Sequence, residues 1–250
     1  MKPLANKVAL VTGSSKGPGR AIALRYASLG ADLVINYAKD CASADEVVAA
    51  TAKEGGRAVA VQADVAQLAD IDRLFKHALK EFGKIDIVVA NAGVRMVNVD
   101  LLDATEADFD RLFTVNAKGP FFVLQQAARH VADGGRIINI SSSTTVRPQP
   151  GEAAYGGSKT PAKYFVEVLA KEIAHRKITV NSIIPGPIDK AGIFTEMPDS
   201  DPYKKKLIDA TPLGRLGLPA DVADVAEFLA SAKASFITGE HLLMNGGASF

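Results

Sequence analysis

Tyr155 and Lys159 are separated by Gly156-Gly157-Ser158. Residues at i and i+4 share one face of a helix. An ammonium beside a phenol favours the phenolate and moves its pKa toward neutrality. A tyrosine that exchanges a proton with a carbonyl or alcohol oxygen needs that shift. Alone, so short a motif arises often by chance and is equally compatible with an ordinary surface helix. Two further clusters give it company. Asn139-Ile140-Ser141-Ser142-Ser143 ends an apolar run with hydroxyls able to hydrogen-bond a carbonyl oxygen. Thr12-Gly13-Ser14-Ser15-Lys16-Gly17-Pro18-Gly19 follows another apolar run and precedes a helical pattern. Glycines there let the backbone turn sharply and approach a pyrophosphate, and the helix start supplies free N–H groups.

These clusters need a scaffold, and short apolar runs provide it. Val8 to Val11, Leu33 to Ile35, Val59 to Val61, Ile85 to Ala90, Ile137 to Ile140 and Val180 to Ile184 read as strands, with Leu242 to Met244 a weaker seventh. They are apolar throughout, as strands covered on both faces must be. Helical patterns lie between them. The clearest places Leu68, Ile71, Leu74, Phe75, Leu79 and Phe82 on one face and Asp72, Arg73, Lys76 and Lys80 on the other. Thr105 and Asp108 form a capping pattern. The alternation predicts an α/β fold: a single domain over residues 1–250, with a doubly wound parallel sheet and helices on both faces. Residues 185–217 carry five prolines and no clean period, apart from a short helix expected near Tyr203 to Asp209. We expect residues 188–213 to form a substrate lid, with Ile188, Ile193, Phe194 and Met197 as its apolar inner surface. Arg95, Met96, Arg147 and Gln149 stand on neighbouring strand-end loops and could line the same pocket.

Composition narrows the function classes. The 29 basic and 28 acidic residues leave a net charge of +1, which argues against a nucleic-acid or membrane-surface binder. Cys41 is the sole cysteine, so no intrachain disulfide can form, which fits a cytoplasmic protein. Val8 to Val11 is too short for a secretory h-region, and no apolar run approaches the roughly 20 residues that cross a bilayer. His77, His130, His175 and His241 lack metal-ligand spacing, so no metal is expected.

The motifs together resemble the short-chain dehydrogenase/reductase family in its roughly 250-residue form, from Lys7 onward. The matching residues are Thr12-Gly13-x-x-x-Gly17-x-Gly19, Asn91-Ala92-Gly93, Asn116, the serine run, Tyr155-x-x-x-Lys159 and Pro185-Gly186. The resemblance implies a seven-stranded Rossmann sheet and a catalytic tetrad of Asn116, Ser142, Tyr155 and Lys159. Ser142 takes the serine role because it lies thirteen residues before Tyr155, as in the family. In that reading Ser142 polarises the carbonyl oxygen, Tyr155 protonates it, Lys159 lowers the Tyr155 pKa and holds the nicotinamide ribose, and Asn116 anchors a water that joins Lys159 to solvent. The expected cofactor contacts are Gly13, Ser15, Lys16, Gly17, Pro18 and Gly19; Asn36, Tyr37 and Ala38; Asp64 and Val65; Asn91, Ala92 and Gly93; Tyr155 and Lys159; and Pro185, Gly186 and Ile188. A homodimer or homotetramer built on the helices of Asn116 and Tyr155 is also implied.

Three departures from the family pattern carry expectations of their own. Pro18 replaces the usual isoleucine and removes one N–H, while its fixed φ suits a helix start. Pro161 should free the Gly157 carbonyl and bend its helix. An insertion is expected around Ala191 to Phe194. Pro120 should break the helix around Asn116, because its missing N–H would have bonded the Asn116 carbonyl. The cofactor is expected to be NADP(H): Asn36 falls where an Asp or Glu would bind the ribose 2′-OH of NAD, and Lys16 can reach a 2′-phosphate as a point charge, with Lys39 assisting. The substrate is expected to be a ketone or secondary alcohol. A 3-oxoacyl thioester on an acyl carrier protein, docked on Lys163, Lys171, Arg176 and Lys177, is the alternative, and a non-catalytic NADP-binding sensor a more distant one.

Overall fold

A computed structural model of the chain describes residues 2–248. Seven parallel strands form one sheet: β1 (Val8–Val11), β2 (Asp32–Tyr37), β3 (Ala58–Gln62), β4 (Ile85–Ala90), β5 (Val131–Ile140), β6 (Thr179–Pro185) and β7 (His241–Met244). Their order across the sheet is β3-β2-β1-β4-β5-β6-β7. Val11 pairs with Ile35 on one side and Val89 on the other. The chain therefore winds outward in both directions from the β1–β4 boundary. The carboxyl ends of the strands diverge there and leave a crevice.

Alternate strand residues feed two cores, one on each face of the sheet, which is why the strands read as apolar throughout. Ala9, Val11, Ile87, Val89 and Ile183 pack with Ile22, Tyr26, Val47, Val222 and Leu229. Those partners stand on α1 (Gly17–Ser28), α2 (Cys41–Lys53) and, late in the chain, the helix Pro219–Ala230. Leu10, Val34, Val88, Ile137 and Val180 pack on the opposite face with Leu74, Phe75, Val123, Leu124 and Val166. Those come from α3 (Leu68–Phe82), which ends at left-handed Gly83 (φ 75°), and from the helices Gly119–His130 and Pro161–Glu172.

Several local expectations hold. In α4 (Glu106–Phe113) Thr105 caps the helix start: the Asp108 N–H donates to Thr105 Oγ1 at 3.2 Å, and the Thr105 N–H donates to Asp108 Oδ2 at 3.4 Å. The break at Asn116 takes the form of a π-helical turn over Thr114–Lys118, followed by α5 (Gly119–His130) with Pro120 in its first turn. Pro161 likewise divides its helix into α6 (Ala153–Lys159) and α7 (Pro161–Glu172). β5 begins six residues earlier than its apolar run, with an irregular register against β4 between Ile85 and Ile87.

The segment after β6 is more ordered than its aperiodic sequence suggests. A 3-10 turn spans Gly192–Phe194, α8 covers Pro202–Asp209, and α9 follows as Pro219–Ala230. Ile188 bridges Gly217. Phe194 is buried and lies parallel to the Tyr203 ring, 6.2 Å between centroids. Lys204, also buried, joins Asp189 at 2.7 Å and Asp199 at 2.6 Å. Among the described residues no helix is long and apolar enough to cross a membrane.

Candidate active site

The loop after β1 carries two left-handed glycines, Gly13 (φ 61°) and Gly17 (φ 53°). A Cβ on Gly13 would sit 3.0 Å from the Ala92 backbone, and one on Gly19 would collide with the Asn91 amide and the Gly13 carbonyl. Asn91 Nδ2 donates to the Thr12 carbonyl at 2.9 Å and the Gly13 carbonyl at 3.1 Å. Thr12 Oγ1 accepts from the N–H groups of Asn91 and Ala92 at 2.9 and 3.0 Å. The Asn91-Ala92-Gly93 turn thus clamps the glycine loop. No side chain caps the start of α1, where Lys16 is the N-cap and Pro18 lies in the first turn. Half-buried Ser15 lies beside it. An uncapped helix start behind a glycine cradle fits a pyrophosphate, with one donor removed by Pro18.

Asn36 does not occupy the place expected of it. Its side chain is buried. Oδ1 accepts from the Gly13 N–H at 3.0 Å, and Nδ2 donates to the carbonyls of Ala63 at 2.9 Å and Val61 at 3.3 Å. The amide stitches the glycine loop to β3 and has no donor left for a ribose. The reason is the twofold strand period: Asn36 faces inward, and the half-buried Tyr37 and exposed Ala38 and Lys39 come next at the crevice edge. Lys16 reaches across to Asp40, the N-cap of α2, at 2.6 Å. Beyond β3, Asp64 Oδ1 accepts from the Ala66 N–H at 3.0 Å, and Val65 is buried beside Gly119.

Tyr155, on α6, is buried, and Ser142 Oγ accepts from Thr144 Oγ1 at 3.0 Å. Burial dominates and holds the phenol pKa above its ordinary value, opposite to the lowering expected from Lys159; Ser142 and the Arg95 charge lower it, and Glu152 raises it. Of the three neighbouring serines, Ser142 is the one that acts on the phenol, whereas the buried Ser141 hydroxyl has no protein partner. Lys159 lies one turn on, its Nζ donating to the Ile140 carbonyl at 3.2 Å, and burial lowers its pKa to about 8. A Cβ on Gly93 would stand 2.8 Å from Lys159 Nζ and 3.1 Å from Asn116 Oδ1, so a glycine is required where these groups meet. Fully buried Asn116 accepts from the Val94 N–H at 2.9 Å and donates to the Val94 carbonyl at 2.8 Å and Ser158 Oγ at 3.0 Å. It ties the loop after β4 to α6. On the far side, the Gly186 N–H donates to the Met244 carbonyl at 2.9 Å, with Pro185 ending β6 and Gly186 and buried Ile188 just beyond it.

Glu152 is the charged residue that sequence reasoning passed over. Its carboxylate accepts from Arg95 at 2.6 Å, and the guanidinium lies 5.6 Å from the Tyr155 ring centroid. Glu152 precedes Tyr155 by three residues, a spacing that could have flagged it. Its partner is remote in sequence. Arg147, a candidate for the same pocket, is exposed, and Gln149 is half-buried.

Comparison with known proteins agrees with this fold. A family model described as enoyl-(acyl carrier protein) reductase matches residues 13–249. A hydroxynaphthalene reductase-like protein, Arp2, of Metarhizium brunneum is 39% identical over 263 aligned positions, covering 99% of this chain and 96% of its own. The angucycline C-6 ketoreductase LanV, solved with bound NADP, superposes with a TM-score of 0.92 at 39% identity, covering 99% of this chain and 97% of its own. A short-chain dehydrogenase from Burkholderia cenocepacia in complex with NADP gives 0.93 at 34% identity, covering 99% and 100%. By its family match, its full-length relatives and its seven-stranded parallel sheet, the chain belongs to the short-chain dehydrogenase/reductase family and is an oxidoreductase.

Proposed function

We propose that the protein is an NADP(H)-dependent oxidoreductase that interconverts a ketone and a secondary alcohol, with Tyr155 as general acid and base. The observation that carries the reading is the burial of Tyr155 and Lys159 one turn apart on α6, with Lys159 meeting Asn116 at Gly93 and the glycine cradle opening on the same crevice. When bound, the nicotinamide supplies or accepts the hydride. Ser142 orients the carbonyl oxygen by donating to it. The Tyr155 hydroxyl donates its proton to that oxygen in reduction and recovers it in oxidation. Lys159, one turn along α6, is the residue that would hold the nicotinamide ribose. Asn116 fixes the loop against which both are aligned. Lys16 is the cation available to a 2′-phosphate once it leaves Asp40, and Tyr37, Ala38 and Lys39 edge that position. The segment 188–213 covers the substrate side as a lid, with Phe194 and Ile188 inward.

Ketone reduction is supported by the names of the relatives and by the NADP bound in two structural neighbours. The thioester alternative is not favoured. Of its basic residues, Arg176 bonds Asp133 and the carbonyls of Ala128 and Val131, and so serves the fold. A homodimer or homotetramer remains our reading, supported by exposed Phe109, Phe121 and Tyr164 on α4, α5 and α7. Purified protein should be screened with NADPH and NADH against ketones, sugars and acyl thioesters. We expect turnover with a ketone and a kcat/KM favouring NADPH by more than about tenfold, the worth of one charge-assisted phosphate contact. Equal or better kcat/KM with NADH overturns the cofactor assignment. Tight NADPH binding without any turnover indicates a sensor.

A further inference from the structure

We propose that Arg95 and Glu152 form a half-buried positioning pair that sets the proton affinity of Tyr155 by opposed charges. Arg95, on the loop after β4, lays its guanidinium 5.6 Å from the centroid of the Tyr155 ring. Glu152, the N-cap residue of α6, holds it there at 2.6 Å, and the two side chains are 26% and 9% exposed. Both are withdrawn enough for charge to act through low dielectric rather than water. Arg95 Nε is buried with no protein partner. An unpaired buried donor carries a desolvation cost, and a surface ion pair placed for stability alone would have no need to accept it. The cation over the ring favours the phenolate form, and the carboxylate opposes it.

The groups facing the phenol come from several elements. Ser142 follows β5, Lys159 lies one turn along α6, Glu152 begins that helix, and Arg95 arrives from the β4 loop. Lys159 Nζ is turned to the Ile140 carbonyl, and the Arg95 and Glu152 charges act on the phenol itself, in opposite senses. The pair works through Tyr155 and so rests on the reading that Tyr155 carries the proton.

That dependence makes the test two-part. The ring Cζ carbon of labelled tyrosine reports phenolate by NMR, and the Tyr155 resonance is the one lost in Tyr155→Phe. The cofactor-free protein is titrated up to the alkaline limit of the folded state, followed by circular dichroism. Glu152→Gln should bring the Tyr155 transition about one unit lower than in the unmodified protein. Arg95→Met should move it up by a similar amount or beyond the accessible range, and Arg95→Lys, which keeps the charge, should stay nearer the unmodified value. A pair serving only to brace the loop would disturb the site in the same sense from either side. Movement of both variants in one direction, or no earlier transition in Glu152→Gln, overturns the proposal. If Arg95→Met does not fold, the Glu152→Gln arm decides alone. Retained turnover in Tyr155→Phe would instead sink the tyrosine reading, and the two failures are thereby distinguishable.

Discussion

At the scale of the residue, Asn36 shows how one side chain can read correctly by type and wrongly by role. Its neutral amide suggests a position that tolerates a 2′-phosphate, yet its hydrogen bonds to Gly13, Val61 and Ala63 make it a structural stitch. Asn36→Asp removes the donor to two buried carbonyls and buries a carboxylate in its place, leaving polar groups unpaired at roughly 2 kcal/mol or more. We expect Tm to fall by roughly 5 °C and affinity for NADPH and NADH to fall together, because the glycine loop loses its tether. Thermal melts and cofactor titrations check this. An unchanged Tm with newly tight NADH binding would restore Asn36 as the selector. In the proposed function selection falls to Lys16, whose ammonium is held by Asp40. The sequence shows both charges, but their pairing depends on how the start of α2 turns toward the glycine loop.

At the scale of the element, proline and glycine were the most readable signals, since each acts through local geometry. Pro161 ends one helix and opens another. Pro120 stands just after the π-helical turn that carries Asn116. The missing N–H signals an interruption, while the π form depends on packing of α5 against its neighbours and was not legible. The segment 188–213 was legible as an excursion with one short helix. Its order comes from Lys204, the third residue of a short helix, bonding Asp189 and Asp199 upstream. No periodicity marks such a contact. Lys204→Met leaves two carboxylates facing each other without a cation. Backbone amides of residues 189–204 should then exchange hydrogen about tenfold faster, while those of β1 and β4 are unchanged. Uniform exchange across both proteins would show that the ion triad does not hold the segment.

At the scale of the whole molecule, the parallel winding explains why so much of the site could be anticipated. Each strand ends at the same edge of the sheet, so Gly13, Asn91, Ser142 and Pro185 converge although they lie far apart in the chain. Apolar runs give the strands, and the handedness of β-α-β crossovers gives the edge. Contacts made between loops, such as Arg95 with Glu152, have no such rule and had to be seen. Every feature of the crevice bears on one claim, that Tyr155 delivers the proton for carbonyl reduction. The most direct measurement is turnover of the Tyr155→Phe variant with NADPH and a ketone substrate, alongside its Kd for NADPH. Loss of the phenol hydroxyl should lower kcat by about 10²–10⁴-fold and leave the NADPH Kd within about twofold, since the ring and Lys159 remain. A variant that keeps more than about a tenth of kcat would contradict the assignment of Tyr155 as the proton carrier.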